Sequence, residues 1–438
     1  MRLEVLRTSY GPDMIARNED GKTVFVAGAV PGDHVEASIT STGKAFDRAR
    51  VERVLEPSAL RVQSPCPYAG VCGGCPWASI ERSAQLEAKR ANVVDSLTRI
   101  AHLDAERADA LVGPCQAPSD AWGYRNKVEL AFSRGERGVS LGMHGAGGHG
   151  IVRVDRCLLM DKRYQKLPKS VAGALSFLSS SDASIGFERI GIRASVRTHD
   201  VEVALWTAPG VFPRARAAKI LGDATRASSV VRVLQKGTPK ARKIAGVERL
   251  SGAGSWSERI DDGLMRLSAP SFFQVNTKGA DALVRLVLDG LAVEDDEVAM
   301  DLYCGAGTFT LPLAKRCAWV SAVESYGPAV RDLRRNLDAA NLTNVEAIGG
   351  DAAREFPDDA DVIVVDPPRA GLGAEVVGLL SDTSARAIAY VSCDPATLAR
   401  DLGEFKRLGV FAPRSVTPVD LFPQTYHVET VTLLTRDA

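Results

Sequence analysis

Residues 297 to 310 read Glu297-Val298-Ala299-Met300-Asp301-Leu302-Tyr303-Cys304-Gly305-Ala306-Gly307-Thr308-Phe309-Thr310. A short apolar run reaches an acid, two spaced glycines follow, and a further apolar stretch begins at Leu311. This is the pattern of a buried parallel strand turning into a helix. Glycines at such a turn let the backbone come close to a ligand at the carboxyl end of the strand. A dinucleotide fingerprint would place a third small residue where Thr310 stands, so NAD is the weaker reading.

Working outward, strand-like runs recur at Trp319 to Glu324, Asp361 to Asp366, Ala387 to Ser392 and Glu429 to Thr435, with helical stretches between most of them. The alternation predicts an α/β domain with a largely parallel sheet covered on both faces. Glu324 ends the second strand about twenty residues after the glycines, where an acid can accept from two ribose hydroxyls. Asp301, Glu324 and the Gly350-Asp351 pair after the third strand together point to an adenosyl ligand, with Tyr303 supplying an aromatic edge.

The fourth strand ends in Asp366-Pro367-Pro368-Arg369-Ala370-Gly371. Two prolines fix φ and stiffen the turn, so Asp366 is expected to face the crevice. Loops of this kind also serve enzymes that methylate exocyclic amines, so this one leaves the acceptor atom open. The fifth strand runs into Ser392-Cys393-Asp394-Pro395-Ala396-Thr397, where Asp394 is a good N-cap and Pro395 a good first helical residue. Cys393 therefore precedes a helix N-terminus, whose dipole and free N–H groups are expected to favour a thiolate over its ordinary pKa of about 8.5. Such a thiolate suits addition to carbon 6 of uracil, because carbon 5 is too poor a nucleophile to take a methyl group unaided. A base must then remove the carbon 5 proton. Glu429, which opens the last strand, is the candidate, with His427 as the alternative.

The chain has 438 residues, enough for two or three domains. Its 45% hydrophobic and 25% charged content is that of a globular protein. No apolar run is long enough to span a bilayer and the start lacks a signal peptide, so a cytoplasmic location is expected. The formal net charge of +0 says nothing of a polyanionic partner. A local basic run, Arg232, Lys236, Lys240, Arg242 and Lys243, could meet phosphates or simply form a solvated strand face.

Before about residue 58, short alternating runs separated by Asn18-Glu19-Asp20-Gly21 and Pro31-Gly32-Asp33 predict a small OB-like barrel of hairpins. Residues 80 to 100 have helical spacing, and sheet-rich sequence fills 122 to 265. Of eight cysteines, Cys66, Cys72 and Cys75 form a tight group, and with Cys157 they offer four thiolates to zinc or an iron–sulfur cluster. Pro114-Cys115-Gln116 looks like the nucleophile motif of DNA cytosine methyltransferases, but no sheet strand precedes it, so a loop cysteine is expected.

Taken with Ser271-Phe272-Phe273-Gln274-Val275-Asn276 and His427-Val428-Glu429-Thr430, these motifs make nearly the whole chain resemble the RNA 5-methyluridine methyltransferase family, bacterial enzymes acting on tRNA or 23S ribosomal RNA. The resemblance implies an RNA-binding TRAM barrel over 1–58 and a central mixed α+β domain over 59–265. A Rossmann-like class I catalytic domain over 266–438 would use S-adenosylmethionine. The helical part near 78–112 would pack with the catalytic domain. It assigns Gln274, Tyr303, Glu324 and Asp366 to the cofactor and uracil site, Cys393 to nucleophilic attack and Glu429 to proton removal. It also points to a 4Fe-4S cluster on Cys66, Cys72, Cys75 and Cys157, zinc being the lesser alternative. Thr308 departs from members that carry Asn there. The competing readings are an exocyclic-amine methyltransferase and a noncatalytic RNA-binding protein.

Overall fold

The computed structural model describes residues 1–135, 138–148, 150–180, 185–238 and 242–436. The chain opens with five strands, β1 (Arg2–Thr8), β2 (Met14–Arg17), β3 (Thr23–Ala27), β4 (His34–Thr42) and β5 (Phe46–Glu56), closed into a barrel in the order β1-β2-β3-β5-β4. Alternate residues point inward, so Leu3, Val5, Met14, Val24, Val26 and Val35 fill one small core. The barrel differs from a set of hairpins at one place, since β3 and β5 pair in parallel. Closure removes the free strand edges that hairpins alone would leave.

Two helices follow, α1 (Arg82–Arg99) and α2 (Ala105–Leu111). Glu81 and Asp104 cap them, each accepting from two backbone N–H groups of the first turn. Val93, Leu97 and Ala108 lie in the same apolar core as Leu402, Phe405 and Ile388 from the far end of the chain. Helix α1 is further clasped by charge. Asp420, fully buried, takes both Arg82 and Lys89, and Gln85 bonds Gln424. A buried carboxylate without those cations would be left uncompensated.

The middle of the chain forms a second sheet from β6 (Lys127–Gly135), β7 (Gly138–His144), β8 (Ile151–Val152), β9 (Arg189–Ala194), β10 (Val201–Thr207), β11 (Ser229–Lys236) and β12 (Lys243–Gly252), in the order β12-β11-β10-β9-β6-β7-β8. Helices α3 (Leu167–Ser180) and α4 (Arg214–Thr225) share an apolar core with it. Of the basic run, Arg232 belongs to this interior and not to a phosphate-binding face. It is 2% exposed, pairs with Glu248 at 3.2 Å, bonds Thr207 and Ala208, and lies over the Phe212 ring. Lys240 lies outside the described residues.

A hairpin, β13 (Trp256–Ile260) and β14 (Gly263–Leu267), puts Trp256, Ile260, Met265 and Leu267 into the core of the C-terminal sheet. The division expected between 265 and 266 falls within this hairpin. Then come α5 (Thr277–Leu291), β15 (Val298–Leu302), α6 (Thr310–Ala314), β16 (Trp319–Glu324), α7 (Gly327–Ala340), β17 (Val345–Gly349), β18 (Val362–Val365), α8 (Gly373–Asp382), β19 (Ala387–Ser392), α9 (Pro395–Leu408), β20 (Phe411–Val419) and β21 (Glu429–Arg436). Their sheet has the order β17-β16-β15-β18-β19-β21-β20, with β21 inserted antiparallel between β19 and β20. The strand order reverses between β15 and β18, where the carboxyl ends of parallel strands leave a crevice for ligands. No helix among the described residues is long and apolar enough to cross a membrane.

Candidate active site

Four strand ends bring acids to that crevice. Asp301, next to last in β15, is fully buried, and its Oδ2 accepts from Thr310 Oγ1 at 2.6 Å while Oδ1 has no partner. Burial, with the charges of Asp366 and Glu324 nearby, pushes its carboxyl up to about 7. Glu324 ends β16 and holds two turns, accepting from Gly305 N at 3.0 Å and from Tyr326 N at 2.6 Å. Asp366, just after β18, is likewise pushed up to about 7 by burial and by Glu324. Asp351 follows β17, is exposed, and accepts from Ala353 N.

The glycine turn is shaped for close approach. Tyr303 takes a positive φ of 63° that few side chains adopt, and Gly305 and Gly307 follow with φ of 58° and 101°. A Cβ at Gly305 would meet nothing within 4 Å, so backbone borders open space there. At Gly307 a Cβ would collide with Leu311 and Leu333, which makes this glycine a packing requirement. Thr308 lines a small pit with Ile260, Met265, Gly307 and Leu311. Gln274, 5% exposed, brings a second unpartnered buried acceptor, Oε1.

These residues fit an adenosyl sulfonium. Burial raises both Asp301 and Asp366, and the charge of Glu324 adds to each. Clustered carboxyls that raise one another favour a positively charged ligand beside them.

Cys393 lies between β19 and α9, half-buried, as the sequence places it. The expected thiolate stabilisation by free helix N–H groups is corrected by the structure. Asp394 Oδ1 already accepts from Ala396 N at 2.9 Å and Thr397 N at 3.2 Å. Burial pushes the Cys393 thiol up to about 12, the charges of Glu429 and Asp366 add to that, and Arg369 opposes it. Glu429, 3% exposed at the start of β21, has an unpartnered Oε2 and a carboxyl raised well above the usual range by burial and then by Asp366. His427 is held near 4 by burial and by the positive charges of Arg369, Lys89 and Arg125, which leaves its ring neutral and weakly basic.

Two residues not singled out from sequence also stand here. Arg369 is the cation that acts on Cys393, Glu429 and His427 alike. Its signal was its place in the Asp-Pro-Pro loop. Tyr10 comes from the barrel, in the loop between β1 and β2. Its hydroxyl donates to the Cys393 carbonyl at 3.3 Å, and its ring meets Tyr426 edge-on, 5.7 Å between centroids. Nothing in sequence links positions so far apart.

The cysteine group lies elsewhere. Burial pushes the Cys75 thiol up to about 12, and the charges of Cys157, Cys72 and Cys66 all add to it. Four soft donors suit zinc or iron–sulfur ligation. Yet among the described residues no group of three or more His, Cys, Asp or Glu has an arrangement that would hold a metal ion. Cys115 sits in a loop along β20, where Val112 and Gln116 bridge Val416 and Val419.

Fold and site together define a class I S-adenosylmethionine-dependent methyltransferase joined to an N-terminal TRAM barrel. Residues 261–360 and 358–437 match the tRNA (uracil-5-)-methyltransferase family, and residues 1–51 match the TRAM domain. An uncharacterized RNA methyltransferase of Gloeobacter violaceus is 36% identical, covering 97% of this chain and 94% of its own length. Another, from Streptomyces coelicolor, is 35% identical over 99% of this chain and 92% of its own. Among solved structures, the tRNA (uracil-54, C5)-methyltransferase of Pyrococcus abyssi in complex with S-adenosyl-L-homocysteine superposes with a TM-score of 0.74, at 26% identity over 99% of both chains. The chain belongs to the tRNA (uracil-5-)-methyltransferase family and is an RNA methyltransferase.

Proposed function

We propose that the protein methylates carbon 5 of a uridine in tRNA or 23S ribosomal RNA through a covalent adduct with Cys393. The observation that carries this reading is the pairing, at one crevice, of a cysteine between β19 and α9 with a buried carboxyl, Glu429, that acts on it electrostatically. An exocyclic-amine methyltransferase needs neither a thiol nor a base against a ring carbon.

When bound, S-adenosylmethionine supplies the methyl group and a positive charge. Asp301, Glu324, Asp351, Tyr303 and Gln274 line the side of the crevice that would hold it. With a positive charge in the crevice, the Cys393 thiol and the Glu429 carboxyl release their protons to solvent; the thiolate adds to carbon 6 of the uracil, and the carbon 5–carbon 6 π electrons shift toward oxygen 4. Carbon 5 becomes nucleophilic enough to take the methyl group. Glu429 then removes the carbon 5 proton, the electrons return to the carbon 5–carbon 6 bond, and the carbon–sulfur bond breaks to release the thiolate. Arg369 offsets negative charge on sulfur and on the developing enolate. Asp366 faces the uracil end. The target base must leave its stack to expose carbon 6.

The test is a denaturing gel of wild type and Cys393→Ala with S-adenosylmethionine and 5-fluorouridine-substituted tRNA or 23S fragments. A cofactor-dependent covalent band with wild type alone is expected, and the RNA that gives it is the substrate. Methyl transfer that survives Cys393→Ala, with no band, would sink the mechanism in favour of an amine acceptor. For the thiol group, we propose a structural or RNA-positioning 4Fe-4S cluster held by Cys66, Cys72, Cys75 and Cys157. Its support is the electrostatic action of the other three cysteines on Cys75 and the soft-donor chemistry of four thiols, and full iron content in Cys72→Ser would contradict it.

A further inference from the structure

A cleft of about 770 Å³ opens between the central sheet and the catalytic domain, on the far side of the Glu324 turn. Arg189, Arg242, Lys243 and Arg249 line it from the central sheet, and Arg331 and Arg335 face them from α7. Asp332, the one acid among its described lining residues, is occupied internally, where Oδ2 accepts from Ser268 N, Ser268 Oγ and Ser271 Oγ. Arg189, Arg242 and Arg335 have carboxylate neighbours in Glu129, Glu188 and Asp332. Among the described residues, Lys243, Arg249 and Arg331 are exposed and have no ion-pair partner.

In a chain of formal net charge +0, this accumulation is local. Strand β12 is an edge of the central sheet, and charges on an edge guard against strand pairing. That accounts for Lys243 and Arg249 but not for arginines on a helix of another domain facing them. The cleft also holds apolar surface among its cations, with Val247 42% and Tyr326 39% exposed. Cations for phosphates with a ring for bases is the composition of a single-stranded nucleic-acid groove. The Tyr326 N–H bonds Glu324, so the floor of the cleft is tied directly to the cofactor turn.

We propose that this cleft binds the phosphodiester backbone of single-stranded RNA flanking the target nucleotide, with Lys243, Arg249 and Arg331 contacting phosphates and Tyr326 stacking a base. The inference rests on the RNA methyltransferase reading and extends it to a second binding region. Fluorescence anisotropy of the full chain with a fluorescein-labelled oligouridylate, over a salt series, tests it without depending on methyl transfer. The triple variant Lys243→Ala, Arg249→Ala, Arg331→Ala should bind at least tenfold more weakly. Its plot of log affinity against log salt should be shallower by roughly 0.7 for each phosphate that the variant no longer neutralises. Tyr326→Ala should weaken binding with the slope unchanged. S-adenosylmethionine affinity should match wild type in the triple variant, which checks its fold. Wild-type affinity and slope in a triple variant that still binds S-adenosylmethionine would overturn the proposal. Loss of covalent trapping in wild type would instead count against the adduct mechanism and leave this measurement standing.

Discussion

Cys393 shares its surroundings with Glu429, Asp366 and Asp394, and Arg369 is the cation set against them. Each of those acids disfavours the thiolate, so without a bound cation the thiol stays protonated near neutral pH. Alkylation of Cys393 by iodoacetamide, followed by peptide mass spectrometry, should therefore quicken about tenfold per pH unit and reach no plateau below about pH 9. Arg369→Gln removes the opposing charge and should slow alkylation at every pH in that range. A rate indifferent to Arg369 would show that burial alone sets the thiol. Glu429 offers a second check, because an amide cannot take the carbon 5 proton. Glu429→Gln should lower turnover by about 10²–10⁴-fold and accumulate adduct on ordinary uridine RNA, without fluorine. Free turnover in that variant would move the proton to another acceptor, although the neutral His427 is poorly suited to it.

At the scale of elements, the candidate catalytic groups sit at turns and strand ends that the sheet holds in place. The acids at the ends of β15 and β16 and just after β18 are close because those strands are neighbours, in the order β16-β15-β18. The turn after β15 is the least forgiving of them, since Gly307 has a positive φ and its missing Cβ is replaced by Leu311 and Leu333. Gly307→Ala should cost about 1–3 kcal/mol by overpacking, read as a lower urea midpoint. It should also weaken S-adenosylmethionine binding, because moving the turn moves the Gly305 N–H that holds Glu324. An unchanged midpoint would mean that the two leucines repack freely. Helix α9 matches its sequence signal, with Asp394 as N-cap and Pro395 at its start. The cap's own success removes the N–H groups that the sequence offered to Cys393.

Across the whole molecule, the barrel reaches the chemistry directly. The loop between β1 and β2 delivers Tyr10 to the Cys393 carbonyl, and Trp77 Nε1 holds that loop through the Gly11 carbonyl. One side chain of the barrel therefore helps to hold the turn that bears Cys393. Tyr10→Phe should lower kcat several-fold and leave the KM for RNA near wild type, because the substitution removes only the hydroxyl that bonds the cysteine turn. A change confined to KM would assign Tyr10 to RNA binding alone. From sequence alone, the strand–helix alternation, the glycine turn, the Asp-Pro-Pro loop, the Cys393 turn and Glu429 could all be read, because each is written in consecutive residues whose local conformational preferences agree with their surroundings. What only the tertiary structure decided depends on residues far apart in the chain. It decided that Arg232 is interior, that a parallel β3–β5 pair closes the barrel, that Tyr10 bonds the Cys393 carbonyl while Arg369 acts on its thiol, and that arginines of two domains share a cleft. Burial and electrostatics arise from every group within a few ångströms, and sequence order does not record which groups those are.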